Sequence, residues 1–105
     1  MKSRSDLNDP AQEAAEQQLY IAFASLRNPE EAQAFLRDLC TPAELQAMWD
    51  RLQVIGPIKQ DIPYRTIHEQ TGVSVTTIGR VARCLKFGTG GYNAIFERLQ
   101  KKLRS

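Results

Sequence analysis

Residues 71–84 run TGVSVTTIGRVARC, and how this stretch folds decides the rest. Gly72 is the residue type that takes positive φ at no steric cost, Val73 can plug the corner between two helices, and Ser74 is a strong N-cap. Behind that cap Ile78, Val81, Ala82 and Leu85 recur at i, i+3, i+4 and i+7, the spacing of one helix face. Thr76, Thr77, Arg80 and Arg83 are left pointing outward, with Val75 and Lys86 at the ends of the stripe. A short helix, a three-residue turn and a second helix of this pattern predict a helix-turn-helix over 63–87, its first helix packing through Ile67.

The outward stripe has a definite chemistry. Hydroxyls at the first turn of a helix and guanidiniums further along suit the major groove, where hydroxyl and methyl groups meet base edges and arginine reaches guanine or phosphate. Arg65 opens the preceding helix, where such a helix crosses the DNA backbone. His68, a single imidazole, reads first as a solvated side chain and second as a further contact. The candidate DNA-binding set is Arg65, His68, Ser74, Val75, Thr76, Thr77, Arg80, Arg83 and Lys86.

Charge is divided unevenly along the chain. Residues 1–50 carry 4 basic and 9 acidic side chains, net −5, and residues 51–105 carry 10 basic and 3 acidic, net +7, which together give +2. The second half is the one that attracts a polyanion, because neutralised phosphates release their condensed counterions. Cys40, Cys84 and His68 are the only cysteines and histidine. They cannot build a metal site within one chain, no cysteine–histidine nucleophile motif is present, and no glycine-rich phosphate loop follows a strand. Neither an enzyme nor a metal is expected, and the two thiols read as buried and free. There is no apolar run of about 20 residues and no signal-peptide core, so the expectation is a soluble, cytoplasmic protein with no membrane partner.

The remaining punctuation is helical. Asp9-Pro10, Asn28-Pro29 and Thr41-Pro42 each set a capping side chain before a proline at the first helical position. Glu31 and Glu44 follow their caps by three, and TPAE, 41–44, is a full capping box. Helices are predicted over about 10–27, over 29–39 and from 42 onward. Their apolar rows are Leu19, Phe23 and Leu26, then Phe35, Leu36 and Leu39, then Leu45, Met48, Trp49, Leu52 and Ile55, with Trp49 the large anchor. Gly56-Pro57 predicts a kink or early stop in the third helix, because the proline ring presses on the Gln53 carbonyl. GTGG, 88–91, is a loop, and 92–103 a last helix with Ile95, Phe96, Leu99 and Leu103 on one face. The result is an all-α chain of six helices and no strand, one domain over 10–105 behind a disordered arm of residues 1–9. Its apolar rows exceed what 105 residues cover alone, so a homodimer is expected.

LCTPAELQAMWDRLQV, 39–54, followed by IPYRTIHEQTGVSVTTIGRVARCLKFGTGGY, 62–92, resembles the Trp repressor superfamily, and most closely its YerC/YecD branch. The resemblance covers roughly residues 19–103 and implies an all-α, intertwined, Trp-repressor-like homodimer that binds double-stranded DNA, most simply as a repressor on a palindromic operator. It also implies a ligand pocket. The family clasps tryptophan between two arginines beside a threonine, a glycine and a serine, and the matching positions here are Thr41, Arg51, Arg80, Val81 and Cys84. Val81 and Cys84 replace the glycine and the serine. An isopropyl group intrudes on the indole and a thiol is a poor substitute for a hydroxyl, so tryptophan is not expected as co-repressor, whereas Arg51 and Arg80 would suit another small anionic effector. The competing reading is a helical protein–protein adaptor that keeps the fold without specific DNA binding. Such an adaptor would favour apolar residues on the stripe that here carries Thr76, Thr77, Arg80 and Arg83.

Overall fold

Each of the three cap-and-proline signals opens a helix in the structure, a computed structural model that describes residues 9–104. The arm expected over 1–9 lies outside the described residues except for Asp9, whose Oδ1 accepts the Ala11 N–H at 3.1 Å and caps α1 (Pro10–Ala24). Asn28 does the same for α2 (Pro29–Leu39), accepting the Glu31 N–H at 2.8 Å. Helix α1 stops short of the expected residue 27 because the Ser25 hydroxyl donates to the Ile21 carbonyl and the Glu31 carboxylate accepts the Arg27 N–H. Residues 25–28 thereby close one helix and cap the next. Phe23 and Phe35 meet edge to face, with ring centres 5.8 Å apart. Among the described residues, these helices belong to one compact unit that ends at Leu39, and the residues from Cys40 onward form a second.

The second unit begins with α3 (Pro42–Gln53) and its full capping box. The Thr41 hydroxyl accepts the Glu44 N–H at 3.1 Å, and the Glu44 carboxylate accepts the Thr41 N–H at 2.8 Å. Hydrogen bonding from Thr41 to the carboxylate, from its backbone N–H first and its hydroxyl second, holds the Glu44 carboxyl below its ordinary range.

The interruption foreseen at Gly56-Pro57 falls at Val54. Helix α3 ends at Gln53, the residue whose carbonyl the Pro57 ring would press on, and the chain restarts as α4 (Ile55–Lys59) with Pro57 in its first turn, where the missing N–H costs no bond. One expected helix is thus two, and the described residues hold seven helices and no strand. Helix α4 closes in a Schellman motif: the Ile62 N–H donates to the Pro57 carbonyl at 3.1 Å and the Asp61 N–H to the Ile58 carbonyl at 3.0 Å. Asp61 takes the left-handed position at φ 59°, where glycine is the usual residue.

Helices α5 (Tyr64–Thr71) and α6 (Val75–Phe87) form the helix-turn-helix, and α7 (Gly91–Arg104) follows a loop one residue shorter than expected. The buried core joins Val54 and Ile55 at the α3–α4 junction, Ile67 on α5, Val73 in the turn, and Ile78 and Val81 on α6. Tyr92 and Phe96 of α7 pack against it. The long apolar rows contribute less than expected: of the third, only Ile55 is fully buried, while Trp49 is 52% exposed and Leu52 is exposed as well. Gly88 is required at the end of α6, since a Cβ there would stand 2.5 Å from the Cys84 carbonyl oxygen.

Two substitutions test this account by urea unfolding. Ile67→Ala should cost about 2 to 5 kcal/mol, as large-to-small changes in cores do. Asp61→Gly should instead raise stability by about 0.5 to 1 kcal/mol by relieving the left-handed backbone.

Candidate nucleic-acid interface

The turn that aims α6 is fixed from both sides. Gly72, at φ 78°, ends α5 and donates its N–H to the His68 carbonyl at 2.8 Å. Val73 then drops into the core, and side chains of α5 hold both of its backbone groups. Its N–H donates to Thr71 Oγ1 at 3.1 Å, while the same hydroxyl donates to the Ile67 carbonyl at 2.7 Å. Its carbonyl accepts from His68 Nδ1 at 2.8 Å. A carbonyl can only accept, so His68 Nδ1 is the donor and carries a proton. His68 is therefore a brace of the turn as well as an exposed residue of α5, a role its sequence context gave no sign of.

Ser74 completes the N-terminus of α6. Its Oγ accepts the Thr77 N–H at 3.1 Å and its hydroxyl donates to Thr77 Oγ1 at 2.9 Å. Beyond the cap, Val75, Thr76, Arg80, Arg83 and Lys86 are exposed, as is Arg65 on α5; Thr77 is half-buried. The stripe thus lies open, with Thr77 set towards its inner edge. Phe87, 81% exposed, was passed over by the sequence reading. Its spacing was the available signal, because 76, 80, 83 and 87 fall on one helix face.

Of the five residues proposed for a ligand pocket, Thr41 precedes α3, Arg51 lies on α3, and Arg80, Val81 and Cys84 lie on α6. The Thr41 hydroxyl is occupied as the α3 cap, Arg51 is half-buried near the end of α3, and Arg80 stands exposed on the stripe. Val81 is 1% exposed within the core. Cys84 is exposed, a correction to the expectation of a buried thiol, because it falls outside the inward arc of Ile78, Val81 and Leu85. It lines a groove of about 550 Å³ with Leu52, Tyr92, Ile95 and the 88–91 glycine loop, whereas the other four residues do not line that groove. Among the described residues no group of three or more histidine, cysteine or carboxylate side chains could hold a metal ion, and no helix is long and apolar enough to cross a membrane.

The family model of the Trp repressor protein matches residues 15–100. The YerC protein of Bacillus subtilis (strain 168), itself uncharacterized, is 37% identical over 84 residues, which span 80% of this chain and 81% of that one. Two solved structures share the fold at similar identity. A candidate Trp repressor from Staphylococcus aureus superposes with a TM-score of 0.78 at 42% identity, over 83% of this chain and 87% of its own. A TrpR-like protein from Eubacterium eligens gives 0.76 at 37% identity, over 92% and 96%.

If His68 braces the turn, His68→Ala should lower stability by about 1 to 3 kcal/mol, the cost of leaving the Val73 carbonyl without its partner. His68→Asn, whose Nδ2 can occupy the place of Nδ1, should recover most of that loss. Equal urea midpoints for all three proteins would show that the bond contributes nothing.

Proposed function

The chain belongs to the Trp repressor family, and from that premise we propose that it is a cytoplasmic, sequence-specific DNA-binding regulator, a repressor that reads a palindromic operator through the major groove as a homodimer. One arrangement carries this reading: a capped helix, aimed by a plugged and braced turn, that turns Thr76, Arg80 and Arg83 outward. Arg65, exposed on the helix before it, would hold the DNA backbone while α6 meets base edges. The charge of the second half of the chain supports the same partner.

Dimerisation is supported by apolar surface that the described chain leaves uncovered. Trp49 and Leu52 on α3 and Ile95 and Leu103 on α7 are all exposed, and the groove beside Cys84 is apolar. Surface of this kind marks an interface, and a second copy of the chain is the occupant that a two-fold operator calls for. A protein–protein adaptor would use these faces of α3 and α7; it would have no use for the threonine and arginine stripe of α6.

Tryptophan is not the co-repressor in this proposal. Val81 is committed to the core, where it has no free space to yield to an indole ring, and Cys84 offers a thiol in place of a hydroxyl. Arg51 and Arg80 would suit a different small anion.

Sequences selected from a random DNA pool should be palindromic, with half-sites about 34 Å apart. Thr76→Val should shift the preferred sequence at a cost of about 1 to 3 kcal/mol on the selected site. Arg65→Ala should weaken all duplexes alike and reduce the salt slope by about one. DNA affinity untouched by both changes would show that the helix-turn-helix is not the reading surface. In calorimetry, millimolar tryptophan should give no sub-millimolar binding; a tighter isotherm that also strengthens operator binding would restore it as co-repressor.

A further inference from the structure

Gly79 lies in the middle of α6 and is the poorest helix former of that helix. A glycine is kept in a helix for an unusual backbone angle, for close packing within the chain, or because something from outside approaches the backbone. The first reason does not hold, since the positive-φ glycines among the described residues are Gly72 and Gly90. The second does not hold either. A Cβ built on Gly79 meets no neighbouring atom within 4 Å, in contrast to the clash at Gly88.

Position supplies the third reason. Gly79 follows Val75 by four residues and Thr76 by three, and it precedes Arg83 by four, so these exposed side chains flank it, while Gly79 itself is half-buried among them beside Ala82. Its own place carries no side chain, which leaves a gap among groups that otherwise reach outward.

Building on the regulator reading above, we propose that Gly79 is a specificity-determining residue, whose missing side chain lets a base edge of the major groove come directly against the α6 backbone between Thr76 and Arg83. The N-terminal half of a recognition helix is the part that meets base edges, and Gly79 belongs to that half. A Cβ added there stands between the helix and the base pair. It penalises the specific complex and spares the phosphate contacts that carry non-specific binding.

The experiment compares wild type with Gly79→Ala on three readouts. Melting should move up by about 4 to 8 °C, the shift that a gain of helix propensity of this kind gives a small domain. Affinity for the duplex that wild type selects from a random pool should fall at least about fivefold, as overpacking a tight contact does. Affinity for a scrambled duplex of the same composition should stay within about twofold of wild type. Unchanged binding of the selected duplex in a stabilised variant overturns the proposal. So does a lowered melting point, which would place the glycine in packing within the chain or against a second copy, and so does an equal loss on both duplexes, which would make Gly79 a phosphate contact. A wild type that selects no duplex and leaves the scrambled one unbound overturns the regulator reading itself, an outcome distinct from these three.

Discussion

The small core of the second unit turns on Val73. Its side chain fills the corner between α5 and α6, and its two backbone groups would be buried without partners if Thr71 and His68 did not take them. A buried unpaired backbone group costs about 1 to 3 kcal/mol, more than a single hydrogen bond returns, so plug and brace are needed together. Because Ser74 follows immediately, whatever holds Val73 also sets where α6 begins and which way its stripe faces. Fold stability and surface presentation share one residue.

The same core explains why the surface is so uneven. Six fully packed aliphatic side chains are enough to lock α4, α5 and α6 around one another, and they leave little for α3 and α7 to cover. The apolar side chains of those two helices stay at the surface, while threonine, arginine and lysine occupy the outside of α6. One molecule thus carries two kinds of surface, one apolar and one able to meet a polyanion, on different helices.

Two breaks in helical geometry shape the approach to the turn. Pro57 cannot accept a helix running through Gln53, so the chain bends at Val54 and drives Val54 and Ile55 into the core. Asp61 then adopts a left-handed backbone so that α4 can end within a few residues of α5. Both devices are costly where they stand, and both put an aliphatic side chain where the core requires one.

The sequence by itself determined what depends on neighbours within about four residues. Asp9, Asn28, Thr41 and Ser74 cap helices as their residue types dictate, the TPAE box closes on itself, Gly72 takes positive φ, and the 3.6-residue period separates Ile78 and Val81 from Thr76 and Arg80. Only the tertiary structure decided what depends on residues brought together by folding. Periodicity marked Trp49 and Ile55 alike as apolar, but burial went to the one that the bend at Val54 turns inward. Cys84 was legible as a small apolar side chain; its exposure follows from which side of α6 the core took, that of Ile78, Val81 and Leu85. His68 looked like a solvated imidazole because its partner, the Val73 carbonyl, comes within 2.8 Å only once the turn has closed. The room for a Cβ at Gly79 had the same origin, since it is known only once the neighbouring helices of its own unit have been placed.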